Sequence, residues 1–198
     1  MSEDLVERAV ALAGAGRAAI GVAGGPGAGK STLARAVVAG LDARGVPAAY
    51  LPMDGFHLTA AALVACGLAD RKGAPETFDV EAFVSLLTRV AAGEAVLAPD
   101  YDRALHDVVP DRLAIPSEAR VVVTEGNYLG LWPTVRPILT ELWFLDVPWE
   151  VARERLIARR IATGRDPGAA AAWVDTVDAA NARLIAPTRA HADLVLPG

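Results

Sequence analysis

The sequence predicts an α/β fold, a three-layer αβα sandwich around a mainly parallel central sheet. Three observations carry this prediction. Short apolar, β-rich runs alternate with longer segments of helical pattern. The first of these runs, Ala18 to Ala23, ends in a glycine-rich turn that opens a helix. Two later runs, Val121 to Thr124 and Leu142 to Val147, are apolar throughout, as strands buried on both faces are.

Taken in order, Ser2 to Ala13 reads as a helix, with Ser2 as N-cap and acids in its first turn. Ala18 to Ala23 is a buried strand. Lys30 to Arg44 is a helix closed by Gly45. Ala48 to Pro52 is a second strand. Asp79 to Ala92 is an amphipathic helix, with Asp79 as N-cap and Gly93 at its C-terminus. The strands Val121 to Thr124 and Leu142 to Val147 follow. Trp149 to Thr163 and Gly168 to Ala186 read as helices, and Leu194 to Leu196 as a last short strand. Ligands of such sheets bind beyond the carboxyl ends of the strands, which is where the chemically interesting residues fall.

The 198 residues are 53% hydrophobic, enough for one sizeable core and a single domain spanning 1–198. A net charge of −5 argues against nucleic acid as the main partner. Cys66 is the sole cysteine, so no intrachain disulfide forms; a reducing compartment fits, and Cys66 reads as a small core residue. The N-terminus lacks the basic start and apolar core of a signal peptide. No apolar run approaches the roughly 20 residues of a membrane span. A cytoplasmic protein without a membrane partner is expected. Of 19 basic residues only Lys30 and Lys72 are lysine, so each asks for a local reason.

Gly24-Gly25-Pro26-Gly27-Ala28-Gly29-Lys30-Ser31 matches the P-loop pattern G-x-x-x-x-G-K-[ST] between a strand and a helix, with Thr32 next. Its glycines let backbone N–H groups turn around phosphate oxygens, and the helix adds its positive end. Lys30 would reach the β- and γ-phosphates, and Ser31 would hold Mg²⁺. Glu125 ends an apolar strand, where an acid contacts Mg²⁺ directly or through water. Asp54, in Met53-Asp54-Gly55-Phe56-His57, follows the second strand. Two readings stay open for it: a base that takes a substrate hydroxyl's proton, or an ordinary Asp-Gly turn. His57 beside it is a candidate to bind the acceptor. His106 and His191 read as structural or surface residues, and the tryptophans as packing.

Arg153, Arg155, Arg159 and Arg160 share one predicted helix, and Arg165 follows in a turn. As a group they suit a lid over the phosphates that supplies positive charge and excludes water. Singly, each reads rather as part of a solvated face paired with Glu150 and Glu154.

Several segments occur together in this order: the P-loop, Met53 to His57, Arg71-Lys72-Gly73-Ala74-Pro75-Glu76-Thr77-Phe78-Asp79, Pro99-Asp100-Tyr101-Asp102-Arg103, His106 to Asp111, and Glu125-Gly126-Asn127-Tyr128-Leu129. Together they resemble the phosphoribulokinase/uridine kinase family. The nearest branch looks like bacterial nucleoside/nucleotide kinases of the fructose transport system type, and type I pantothenate kinase is similar in the same segments. The resemblance implies a P-loop NTPase fold with a helical lid at about 153–168, using ATP and Mg²⁺. It makes Asp54 the catalytic base and puts Arg71 and Lys72 near the acceptor. It turns Tyr101, Arg103 and Asn181 toward the acceptor, and it makes Arg160 or a neighbour the lid arginine, with Arg165 on the nucleotide. By analogy it suggests a homodimer. The segment after Tyr128 and the arginine at 160 depart from close relatives, and no base-reading pattern of uridine kinases is evident.

The expected function is transfer of the γ-phosphoryl group of MgATP to a hydroxyl of a small metabolite such as a sugar, a nucleoside or a pantothenate-like acceptor. The alternative is a P-loop ATPase or switch acting on a protein partner. A GTPase would show Asn-Lys-x-Asp, which is lacking, and an ATPase has no use for the segments Arg71 to Asp79 and Pro99 to Asp111.

Overall fold

The structure, a computed structural model, describes residues 2–14 and 16–198. In chain order its helices and strands are α1 (Ser2–Ala13), β1 (Ala18–Gly24), α2 (Lys30–Asp42), β2 (Ala48–Pro52), α3 (Ala60–Ala65), α4 (Val80–Ala91), β3 (Val96–Asp102), β4 (Asp107–Ile115), β5 (Val121–Glu125), β6 (Glu141–Asp146), α5 (Trp149–Ala162), α6 (Pro167–Trp173), α7 (Ala179–Ile185) and β7 (Leu194–Pro197). The N-cap expected of Ser2 rests on a side chain outside the described residues.

Five strands form one parallel sheet in the order β2-β5-β1-β6-β7. β1 and β5 are buried at every position, which accounts for their unbroken apolar character. Successive side chains go to opposite faces. Ile20, Val22, Val123, Trp143 and Leu145 meet α1 and α2. Ala19, Ala23, Val122, Leu142 and Phe144 meet α4 and the segment from Tyr128 to Leu139. The order places the carboxyl ends of β1, β2 and β5 side by side, so the P-loop, Asp54 and Glu125 emerge at one edge of the sheet.

Most expected elements appear within two residues of their predicted limits. Asp79 caps α4 by accepting a 2.9 Å bond from the Ala82 N–H, as its position suggested. Three features differ from expectation. The segment from Pro99 to Asp111, for which the sequence predicts no strand, lies in an antiparallel hairpin of β3 and β4, with an irregularity between Ala98 and Asp100. Pro99, Pro110 and the many charges hide its alternation. The helix expected over Gly168 to Ala186 contains a π-helical turn, Val174–Asp178, between α6 and α7. Cys66 is exposed, because it ends the short surface helix α3.

α1 is fastened to the sheet by a charged contact. Arg8 donates to both oxygens of Glu141 at 2.7 and 2.6 Å, and Trp143 Nε1 donates to Glu141 Oε2 at 2.7 Å. Burial alone would push the Glu141 carboxyl up, but the bonds from Arg8 and Trp143 hold it below the usual glutamate value. A depressed folded-state value contributes stability above the unfolded value of 4.5, and that stability is lost as pH falls through the lower folded value. Glu141→Gln should therefore cost about 1–2 kcal/mol near neutral pH, a figure reduced because Arg8 is partly exposed. In urea unfolding, the gap between wild type and variant should close as the pH is lowered below 4.5.

Candidate active site

The loop between β1 and α2 is shaped by glycines with positive φ: Gly24 at 147°, Gly27 at 75° and Gly29 at 96°. Gly29 is the N-cap of α2, and no side chain caps that end, so the first N–H groups of the helix are free to meet an anion. Gly25, Pro26 and Ala28 complete the turn, and Thr32 lies in the first turn of α2.

Lys30 is buried. Its Nζ donates to the Gly25 carbonyl at 2.9 Å and to Asn127 Oδ1 at 2.6 Å. Burial draws its ammonium down from the usual lysine value, against the pull of Glu125 and Asp54. Ser31 Oγ donates to Glu125 Oε1 at 3.0 Å, and the Tyr50 hydroxyl donates to the same oxygen at 2.7 Å. The Arg35 guanidinium stands 4.4 Å above the Tyr50 ring. Burial and the nearby Asp54 push the Glu125 carboxyl up, opposed by Lys30 and the two hydroxyls. Both hydroxyls use Oε1, so Oε2 is the oxygen left for another partner.

Asp54 sits in the 3₁₀ turn Met53–Phe56 that ends β2. Gly55 is needed there because a β-carbon would strike the Pro99 carbonyl oxygen on β3. The Asp-Gly pair thus reflects close backbone approach, and Gly55 has no positive φ. Asp54 faces a cavity of about 430 Å³ together with Lys30, Ser31, Glu125 and Asn127. His57 forms another part of the wall, stacked on Phe78 at 3.9 Å and 5.2 Å from Tyr101. Burial lowers the His57 pKa, against the pull of Asp54. Arg103 reaches toward Asp54 Oδ2 at 3.4 Å. Lys72 and Asn181 line the far side, and Asn181 Nδ2 donates to the Gly73 carbonyl at 3.3 Å. Arg71 lies outside this wall and pairs with Glu76.

Helix α5 brings its arginines to the cavity in different states. Arg160 donates to Asp178 Oδ2 at 2.9 Å and stands 5.2 Å from the Trp173 ring; Arg165 stands 5.1 Å from the same ring. Arg153 is turned away and holds Asp175 with two bonds of 2.6 and 2.8 Å. Arg159 lines the cavity wall with its side chain open to solvent, near Lys30, and has no ion-pair partner among the described residues. Arg155 joins it in a shallower groove that runs past Gly29 and Thr32.

Sequence reasoning missed Tyr50, Asn127 and the Trp173–Asp178 support, and it held Arg159 only as one of the lid group. Tyr50 had a signal, as the one hydroxyl in an apolar strand, and Asn127 stood two residues after Glu125. A second cavity of about 500 Å³ lies behind Gly25 and Pro26, walled mainly by apolar residues of β6, α5 and α7, and Ala28 faces it. The polar groups that can meet a phosphate converge in the first.

Chemically, the first cavity suits a triphosphate and a divalent cation. The glycine loop and helix end offer N–H donors, and Lys30 and Arg159 offer charge. Among the described residues no cluster of three or more His, Cys, Asp or Glu could hold a metal. Ser31 and Glu125 are a sparse all-oxygen pair, which fits a Mg²⁺ that takes its other ligands from phosphate and water.

Comparison with known proteins agrees with this chemistry. The Phosphoribulokinase / Uridine kinase family matches residues 19–198. The ATP-dependent kinase-like protein notR′ of Aspergillus versicolor is 38% identical over 161 residues, covering 74% of this chain and 94% of its own. The uncharacterized protein YggC of Escherichia coli (strain K12) is 37% identical over 177 residues, 86% of this chain and 73% of that one. A crystal structure of a candidate fructose transport system kinase from Silicibacter sp. TM1040 superposes with a TM-score of 0.92 at 37% identity, over 100% of this chain and 99% of that one.

The buried Lys30 ammonium generates the direct test of the phosphate site. Lys30→Ala should raise the Kd for ATP in the presence of Mg²⁺ about 10²-fold by calorimetry, because a charge-assisted contact is lost in a dry setting. A rise of less than about threefold would reject the loop as a phosphate cradle.

Proposed function

This chain belongs to the phosphoribulokinase/uridine kinase family, and on that premise we propose that it transfers the γ-phosphoryl group of ATP to a hydroxyl of a small metabolite. The observation that carries the reading is a convergence in one cavity. The phosphate loop with Lys30, the Ser31–Glu125 pair and the Asp54 carboxylate all face the same 430 Å³ space. A protein that only hydrolysed ATP would have no need of the half-enclosed compartment beyond Asp54.

In this reading the acceptor hydroxyl lies against Asp54. Its oxygen forms a bond to the γ-phosphorus while the bond to the β-bridging oxygen breaks, and its proton passes to the Asp54 carboxylate. Lys30 and the loop N–H groups hold the β- and γ-oxygens. Ser31 and Glu125 would hold Mg²⁺, with Tyr50 orienting Glu125. When bound, Mg²⁺ neutralises charge on the phosphate oxygens. His57, with its pKa lowered by burial, sits where it can hold the acceptor without adding fixed charge.

Segment 153–168 is the lid in this proposal, and its arginines divide the work. Arg159, near Lys30 and without an ion-pair partner among the described residues, faces the transferring group. Arg160 takes a supporting part in place of the catalytic one expected of it, because Asp178 and Trp173 already hold it.

Two measurements test the proposal. Asp54→Asn should leave MgATP affinity within about threefold and lower kcat by roughly 10²–10⁴. The lower end is expected, since a loose transition state asks little of a base. Unchanged kcat would remove Asp54 from the mechanism. Arg159→Ala should lower kcat by about 10² or more and exceed the effect of Arg160→Ala, since its charge is unspent until the phosphoryl group moves. The reverse ranking would return the transition-state role to Arg160.

A further inference from the structure

The cations of the cavity wall are not all spoken for by ATP. The wall carries six of them, Lys30, Lys72, Arg103, Arg159, Arg160 and Arg165. It carries three carboxylates, Asp54, Glu125 and Asp178. MgATP brings roughly two negative charges, which leaves about one positive charge without a counterpart.

That charge can be located. Arg103 and Arg160 have carboxylate partners at 3.4 and 2.9 Å. Lys30 and Arg159 adjoin the phosphate loop, and Arg165 stands with Trp173 beside the lid. Lys72 is the remaining cation, on the acceptor side, with no carboxylate partner among the described residues. Its ammonium is held in place from two directions. Nζ donates to the His106 carbonyl at 2.7 Å and stands 4.9 Å from the centre of the Tyr101 ring. His106 has φ 54°, a left-handed conformation that a side chain rarely adopts, in the turn between β3 and β4. One hydrogen bond and one ring contact leave an ammonium N–H available for a third partner. Arg71 next door is engaged with Glu76, so it does not share the task.

We infer that the acceptor is a small hydroxy acid, whose carboxylate is bound by Lys72 while its hydroxyl lies at Asp54. The inference rests on the phosphoryl-transfer reading and narrows its acceptor. A single compact ammonium suits a monoanionic carboxylate. A phosphate dianion would overshoot the charge balance and would call for a guanidinium fork, and the nearest one is committed to Asp54. Phe78, His57 and Tyr101 supply a ring-lined wall between the two ends for the carbon chain.

The test compares glycerate, threonate and gluconate with their methyl esters and with glycerol 3-phosphate. ADP release and thermal stabilisation of the protein loaded with Mg²⁺ and a non-hydrolysable ATP analogue are both read. At least one hydroxy acid should stabilise the loaded protein and be phosphorylated, with kcat/KM about 10²-fold above that of its ester. Lys72→Met should lower kcat/KM for the acid by about 30–100-fold, mostly through KM, lower that for the ester far less, and leave MgATP affinity unchanged. The inference is overturned if an ester or the phosphate ester is the better acceptor, if Lys72→Met changes the acid by less than twofold, or if no acid stabilises the loaded protein. Turnover of a neutral alcohol in those cases would leave the kinase reading intact. An ATP-loaded protein that phosphorylates none of the panel and releases ADP at the same rate without it would count against both.

Discussion

A β-carbon on Gly27 would come within 2.6 Å of the Ala152 carbonyl oxygen, and one on Gly24 within 2.6 Å of the Leu145 carbonyl oxygen. The phosphate loop therefore lies in backbone contact with both β6 and α5. No side chain intervenes to give way, so loop, strand and helix form one rigid piece. The consequences run outward from this contact. Ala152 and Leu156 are buried against the loop, so the next residue on that stripe, Arg159, is carried to the phosphate side. Arg160, one position on, points instead to Asp178. Which arginine lies beside the phosphate loop is thus decided by how closely two backbones approach.

The charges at the carboxyl edge of the sheet depend on one another in the same way. Lys30 and Glu125 are both buried, and burial works against the charged form of each. Each partly offsets the other, and the rest of the compensation comes from neutral groups: Asn127 and the Gly25 carbonyl for Lys30, Ser31 and Tyr50 for Glu125. Every one of those hydrogen bonds also fixes the direction of a charged atom. The polar network that makes burial tolerable is therefore the same one that aims the site.

How much could be read beforehand follows from how local each feature is. The P-loop is spelled in eight consecutive residues and its chemistry is a property of the backbone, so it was legible at once. The parallel sheet was legible because strands buried on both faces are apolar throughout. The β3–β4 hairpin was not, since its stability comes from cross-strand partners and its outward faces are charged. Arg159 could have been preferred to Arg160 by extending the Ala152–Leu156 stripe by three residues. Its lack of a salt bridge among the described residues, though, is a fact of tertiary structure. The same holds for Arg71, which neighbours Lys72 in the chain yet turns away to Glu76. Asp54 was ambiguous because Asp-Gly is common in turns, and only the approach of Pro99 shows what the glycine is for.

The π-helical turn Val174–Asp178 gives the segment from Pro167 to Ile185 one residue more than an uninterrupted α-helix of the same rise would hold. The wide turn absorbs that surplus residue and so sets the phase of α7 relative to α6. Had the same residues continued in regular α geometry, α7 would be turned by about 100°, the angle between neighbours on a helix with 3.6 residues per turn. Asn181 would then leave the Gly73 carbonyl, and the Asp178 support beneath Arg160 would be lost with it. One wide turn of backbone therefore lets Asp178 and Asn181 face the same cavity.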